Sequence, residues 1–97
     1  MIRQATICGD AGTLKRAADR LGARKVAAGV RAFAIPADPE HYGAAIDNGA
    51  VAALHKAGFV ICAPGAAVPA TAPDEAAIAH PGAELEDVIT ACCEVCQ

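Results

Sequence analysis

The chain has 97 residues, a formal charge of −3 and 55% hydrophobic residues, yet only two Phe and one Tyr. One domain is expected, with a modest core built mostly from small side chains. An acidic chain with so few aromatics excludes a basic, base-stacking nucleic-acid interface, and the longest apolar stretch, residues 57–72, is broken by glycine and proline and cannot span a membrane.

Charge is unevenly placed. Arg3, Lys15, Arg16, Arg20, Arg24, Lys25 and Arg31 face only Asp10 and Asp19 in the first third of the chain, whereas beyond Arg31 the single Lys56 faces nine acids. Two solvated surfaces of opposite sign are the simple expectation, and a basic face for a carboxylate or phosphate ligand is the functional one.

In chain order, Ala5-Thr6-Ile7-Cys8 reads as a first strand and Gly9-Asp10-Ala11-Gly12-Thr13 as the turn after it. Leu14, Ala17, Ala18 and Leu21 recur at helical spacing, which predicts a helix over 13–21 stopped by Gly22. Val30, Phe33 and Ile35 mark a second strand over 31–35 that ends at Pro36. Asp38 then offers a cap and Pro39 occupies the first helical position, where a missing N–H does no harm. Asn48-Gly49 divides this helix from a second piece ending at Gly58. Phe59-Val60-Ile61-Cys62 opens a third strand, over 59–63, fit for burial on both faces. Strand, helix and strand of this length form a βαβ unit, whose crossover should be right-handed. Ile7, Phe33, Ile35, Val60 and Ile61 are the expected core.

After Pro64 the pattern dissolves into a proline- and alanine-rich loop. Residues 74–79 are expected to form a helical turn, broken by Pro81-Gly82. Residues 83–96 are expected to form a C-terminal helix with Leu85, Val88, Ile89, Cys92 and Cys96 on one face, its early acids suiting the positive end of the helix dipole. The fold class is α/β: a single domain over 1–97, three-layered, with a short parallel sheet of about three to four strands.

Residues 24–67 also carry a likeness. The run Arg24-Lys25-Val26-Ala27-Ala28-Gly29-Val30, the strand end Ile35-Pro36-Ala37, a helix bearing Tyr42, Ala57-Gly58 before the next strand and the turn Pro64-Gly65 follow one another in a familiar order. In that order and spacing, over about residues 5–67, the chain resembles one domain of the large subunit of the aconitase and isopropylmalate isomerase family. The resemblance implies a hydro-lyase for hydroxy-di- or tricarboxylic acids, with a [4Fe–4S] cluster on three cysteines: one after the first strand, two after the Pro-Gly turn. The chain departs from that pattern. Ala66 and Pro69 stand where the last two cysteines belong, and the first ligand position falls on Thr6 in a gapless register or on Cys8 with a two-residue gap. The gapless register keeps the first helix in phase. One thiolate does not hold a cluster, so no cofactor is expected there. The family's substrate-binding Asn-Arg-Asn-Phe segment has no counterpart, and its catalytic serine belongs to another domain.

Two further places could carry chemistry. The loop Gly9, Asp10, Gly12 and Thr13, between a strand and a helix N-terminus, could present N–H groups to an anion, although it matches no complete nucleotide motif. The tail gathers Cys92, Cys93 and Cys96, a candidate metal or redox site whose plainer reading is a pair of core cysteines. A helix C-terminus and Glu94 disfavour thiolates there, so ordinary or raised thiol pKa values are expected, with slow alkylation of Cys92 and Cys96, faster reaction at Cys93, and no tight zinc site in a monomer. His41, His55 and His80 are expected on the surface, and Cys62 in the core. Five cysteines and no leader pattern after Met1 point to a reducing cytoplasm.

Three readings follow: a non-catalytic aconitase-like module, working with a partner subunit or as a homo-oligomer; part of a hydro-lyase completed by other subunits; or a small thiol or metal-binding protein using its tail.

Overall fold

The computed structural model describes residues 2–71 and 75–94. Among the described residues the elements, in order, are β1 (Ile2–Gly9), α1 (Ala11–Leu21), β2 (Lys25–Val26), β3 (Arg31–Pro36), α2 (Pro39–Asp47), α3 (Ala50–Ala57), β4 (Val60–Ile61), β5 (Ala76–His80), α4 (Leu85–Cys92) and β6 (Cys93–Glu94). The main sheet has the order β4-β3-β1-β5 with every pair parallel, and β2 and β6 form a separate antiparallel ribbon. The chain is therefore the expected α/β domain on a short parallel sheet.

Local chemistry explains the helices. Asp10 caps α1 and Asp38 caps α2, each carboxylate accepting an N–H three residues on, and Pro39 occupies the first turn. Gly58 closes α3 in the left-handed conformation (φ 112°) that a side chain would disfavour, and a Cβ there would also meet Val26 Cβ at 3.2 Å.

The sheet has two unlike faces. Alternate residues Ala5, Ile7, Ala32 and Ala34 join one buried cluster with Leu14, Ala45, Leu54, Val88 and Ile89, drawn from all four helices. Gln4, Thr6, Cys8, Phe33 and Val60 point the other way. Residues 62–75 lead from β4 at one edge to β5 at the other, and Pro69 on this segment lies over Gln4, its carbonyl accepting the Gln4 Nε2–H at 2.6 Å. Helices, sheet and crossing segment make the three layers.

Several expectations are corrected. Val60, expected in the core, is 56% exposed, while Phe33 and Ile61 are half-buried. Strand β4 is two residues long at the sheet edge, and the crossing segment does not cover Val60, so an apolar run here does not mean burial on both faces. Phe59, just before β4, is the large core side chain of this region. Residues 76–80 form strand β5 instead of a helical turn, because β1 offers a free edge that alanine-rich chain can pair with. Asp74 lies outside the described residues. The C-terminal helix runs from Leu85 to Cys92 and gives way to β6, whose Cys93 pairs with Val26. Cys96 lies outside the described residues.

The uneven charge resolves into contacts between the two halves: Arg20 Nη1 to Glu86 Oε2 at 2.9 Å and Arg31 Nη2 to Glu75 Oε1 at 2.7 Å. Both are solvent-facing, so each is worth little by itself.

Candidate functional site

In a parallel α/β sheet, ligand chemistry belongs outside the carboxyl ends of the strands, where connections leave in opposite directions. Here that point lies at the ends of β1, β3 and β5, and it gathers the Gly9–Thr13 loop, Cys8 and the Pro64-Gly65 turn.

Gly9 is required for the loop's close approach, since a Cβ there would come within 2.9 Å of Thr13 Cβ. The N-terminus of α1 is occupied from within. Asp10 Oδ1 accepts the Thr13 N–H at 2.7 Å, and His41 Nδ1 accepts the Ala11 N–H at 3.2 Å. The Thr13 N–H, then the Thr13 hydroxyl, hold the Asp10 carboxyl below its ordinary value, with smaller help from His41 and Arg16. An incoming anion would have to displace a carboxylate already in place. The loop is best described as a joint that fastens α1 to α2, because the His41 N–H in turn donates to Asp38 Oδ1 at 2.8 Å. His41 is thus a half-buried bridge between two helix N-termini, where a surface residue was expected. Only its place in the first turn of a capped helix hints at this in the sequence.

The positions implied by the family resemblance divide. Thr6 is mid-strand and 1% exposed, whereas Cys8 reaches the strand end. Gly65 N–H donates to the Pro36 carbonyl at 2.8 Å, and Ala37 N–H to the Gly9 carbonyl at 2.9 Å, so the end of β1 and the Pro-Gly turn meet around the end of β3. Ala66 and Pro69 follow on the crossing segment. Cys62, expected in the core, is half-buried on the same edge. Burial, and then the neighbouring Cys62, push the Cys8 thiol up, and burial pushes up Cys62. Both sulfurs stay protonated at neutral pH.

In the tail, α4 ends at Cys92, which is fully buried, and Cys93 is 9% exposed. Their Sγ atoms lie 3.4 Å apart. The Cys92 S–H also reaches the Ile89 carbonyl at 3.7 Å. The hydrogen bond shared by the two sulfurs raises Cys92 and lowers Cys93, burial raises both, and the positive charge of Arg24 favours both thiolates. Ordinary or raised thiols were expected in the tail, and Cys93 is instead lowered because the Cys92 sulfur shares a hydrogen bond with it.

His80 Nδ1–H donates to the Ala83 carbonyl at 2.9 Å, and His80 lines a cleft with Arg16, Arg20, Glu84 and Asp87. Carboxylates offset the arginines there. Among the described residues, no three of His, Cys, Asp and Glu converge as a metal-ligand set, and no helix is long and apolar enough to cross a membrane.

No protein-family model, no curated protein and no solved structure matches this chain.

Proposed function

We propose that the chain is a non-catalytic α/β module of the aconitase and isopropylmalate isomerase type, acting with a partner subunit or as a homo-oligomer in a reducing cytoplasm. The observation that carries this reading is the meeting of the first strand's end with the Pro64-Gly65 turn around Pro36. The resemblance would put three thiolates at such a junction. Here at most one thiol, Cys8, reaches a motif position, and only with a two-residue gap, while Ala66 and Pro69 cannot ligate iron. Cys62 adds a second sulfur outside the motif, and burial favours the protonated form of both. These residues do not fit a [4Fe–4S] cluster, which needs thiolates from a fuller set.

The test is anaerobic reconstitution with iron and sulfide on a C92S/C93S/C96S variant, which removes the tail's thiols. No visible cluster absorbance and no bound iron after desalting are expected. Stoichiometric cluster incorporation would overturn the reading and restore a hydro-lyase assignment.

A further inference from the structure

We infer that Cys92 and Cys93 form a site of reversible oxidation, closing to a disulfide between consecutive residues on exchange with a small-molecule disulfide.

The geometry argues for it. Neighbouring side chains do not face each other within a helix, and they alternate sides within a strand. Two consecutive sulfurs therefore meet only where the backbone changes type between them. Here Cys92 is the last helical residue, and Cys93 is extended at φ −114°, ψ 138°. This αR-then-β step, the arrangement of a type VIII turn, swings the sulfurs to the same side, 3.4 Å apart. The step is fixed from both directions, by the Ala27 N–H donating to the Cys92 carbonyl at 2.8 Å and by the pairing of Cys93 with Val26. Closure requires the sulfurs to approach from this contact to a bond of about 2.05 Å.

The chemistry has two exchanges. The Cys93 thiolate, favoured by the Cys92 S–H and by Arg24, attacks one sulfur of the small disulfide. That S–S bond breaks, a mixed disulfide forms on Cys93, and one thiolate leaves. Cys92 then loses its proton to solvent and attacks the Cys93 sulfur, expelling the second thiolate. Two protein thiols are oxidised and one small disulfide is reduced to two thiols. Access comes through β6, a two-residue strand that, among the described residues, pairs only with the equally short β2.

The experiment uses a C8S/C62S/C96S variant, leaving only this pair, equilibrated with 2-mercaptoethanol and its disulfide, quenched in acid and weighed as the intact chain. The expected product is two hydrogens lighter, with fragment ions joining residues 92 and 93. It should form at a several-fold more reducing thiol-to-disulfide ratio in the folded chain than in the same chain unfolded in urea. Accumulation of the mixed disulfide without closure, or equal closure in folded and unfolded chains, would overturn the inference. Should circular dichroism show the variant unfolded, the wild-type chain is mapped by fragmentation: a 92–93 linkage supports the site, and a linkage of either residue to Cys96 refutes it.

Discussion

The two faces of the central sheet are buried by different means. On one, Ala5, Ile7, Ala32 and Ala34 meet helices and are excluded from water by apolar packing alone. On the other, the described part of the crossing segment, residues 62–71, has no ladder of its own, so its carbonyls need donors. Gln4 supplies one: its Nε2–H is held by Pro69, and its Oε1 accepts from Arg31 Nε at 3.3 Å. A face covered by regular helices can be made of alanine, whereas a face covered by irregular chain needs polar hooks and leaves Val60 uncovered.

The sharpest test of that contrast sets the neighbours Phe59 and Val60 against each other. Phe59→Ala should destabilise by about 3–5 kcal/mol in urea denaturation, the range for a fully buried aromatic. A loss below about 1 kcal/mol would deny that the helix-side core reaches this edge.

Next comes the polar hook. Gln4→Leu keeps the bulk but leaves the Pro69 carbonyl without its donor, at an expected cost of about 1–3 kcal/mol. Faster proteolysis of residues 62–75 should accompany it. A neutral substitution would show that the crossing segment holds its place by packing alone.

Asp10 gives a smaller, pH-dependent effect. Its carboxyl is held below the ordinary value in the folded chain by the Thr13 N–H and hydroxyl, so folding favours the ionised form. That stability is complete above the unfolded carboxyl's pKa of about 3.9 and is lost as pH falls through the lower folded value. Asp10→Asn keeps a cap and removes the titration. Between about pH 6 and about pH 2, the urea midpoint of the wild-type chain should therefore fall further than that of the variant. Parallel falls would remove Asp10 from the account.

The smallest effect is expected at Val60→Ala, within about 0.5 kcal/mol, as for other exposed sites. A core-sized loss would mean that Val60 is covered in solution, as an assembly interface would cover it.

The helices were legible because their signals are local. Asp38-Pro39, Asn48-Gly49 and Gly58 each act within a turn of where they stand. Strand β5 was not legible: Ala76, Ala77 and Ala79 suit a helix at least as well, and only the free edge of β1 decides otherwise. The end of α4 was hidden for a related reason, since no glycine or asparagine stands there and the break is imposed by Val26 across the ribbon. The candidate site divides along the same line. The loop after β1 could be read as a turn, but its occupation by His41 depends on a contact thirty residues away. The meeting of Cys92 with Cys93 depends on a helix break that no nearby residue announces.

Strand β1 lies between β3 and β5, partners that begin at residues 31 and 76. During synthesis, its first neighbour can dock once the opening third of the chain has emerged, while its other edge waits for more than half of the chain to follow. Until β5 arrives, the hydrogen-bonding groups along that edge are open to any extended segment nearby. The late pairing is also parallel and long-range, the kind whose loop-closure entropy slows folding. Folding of this chain should therefore finish at β5, with the central strand the last to lose its exposed edge.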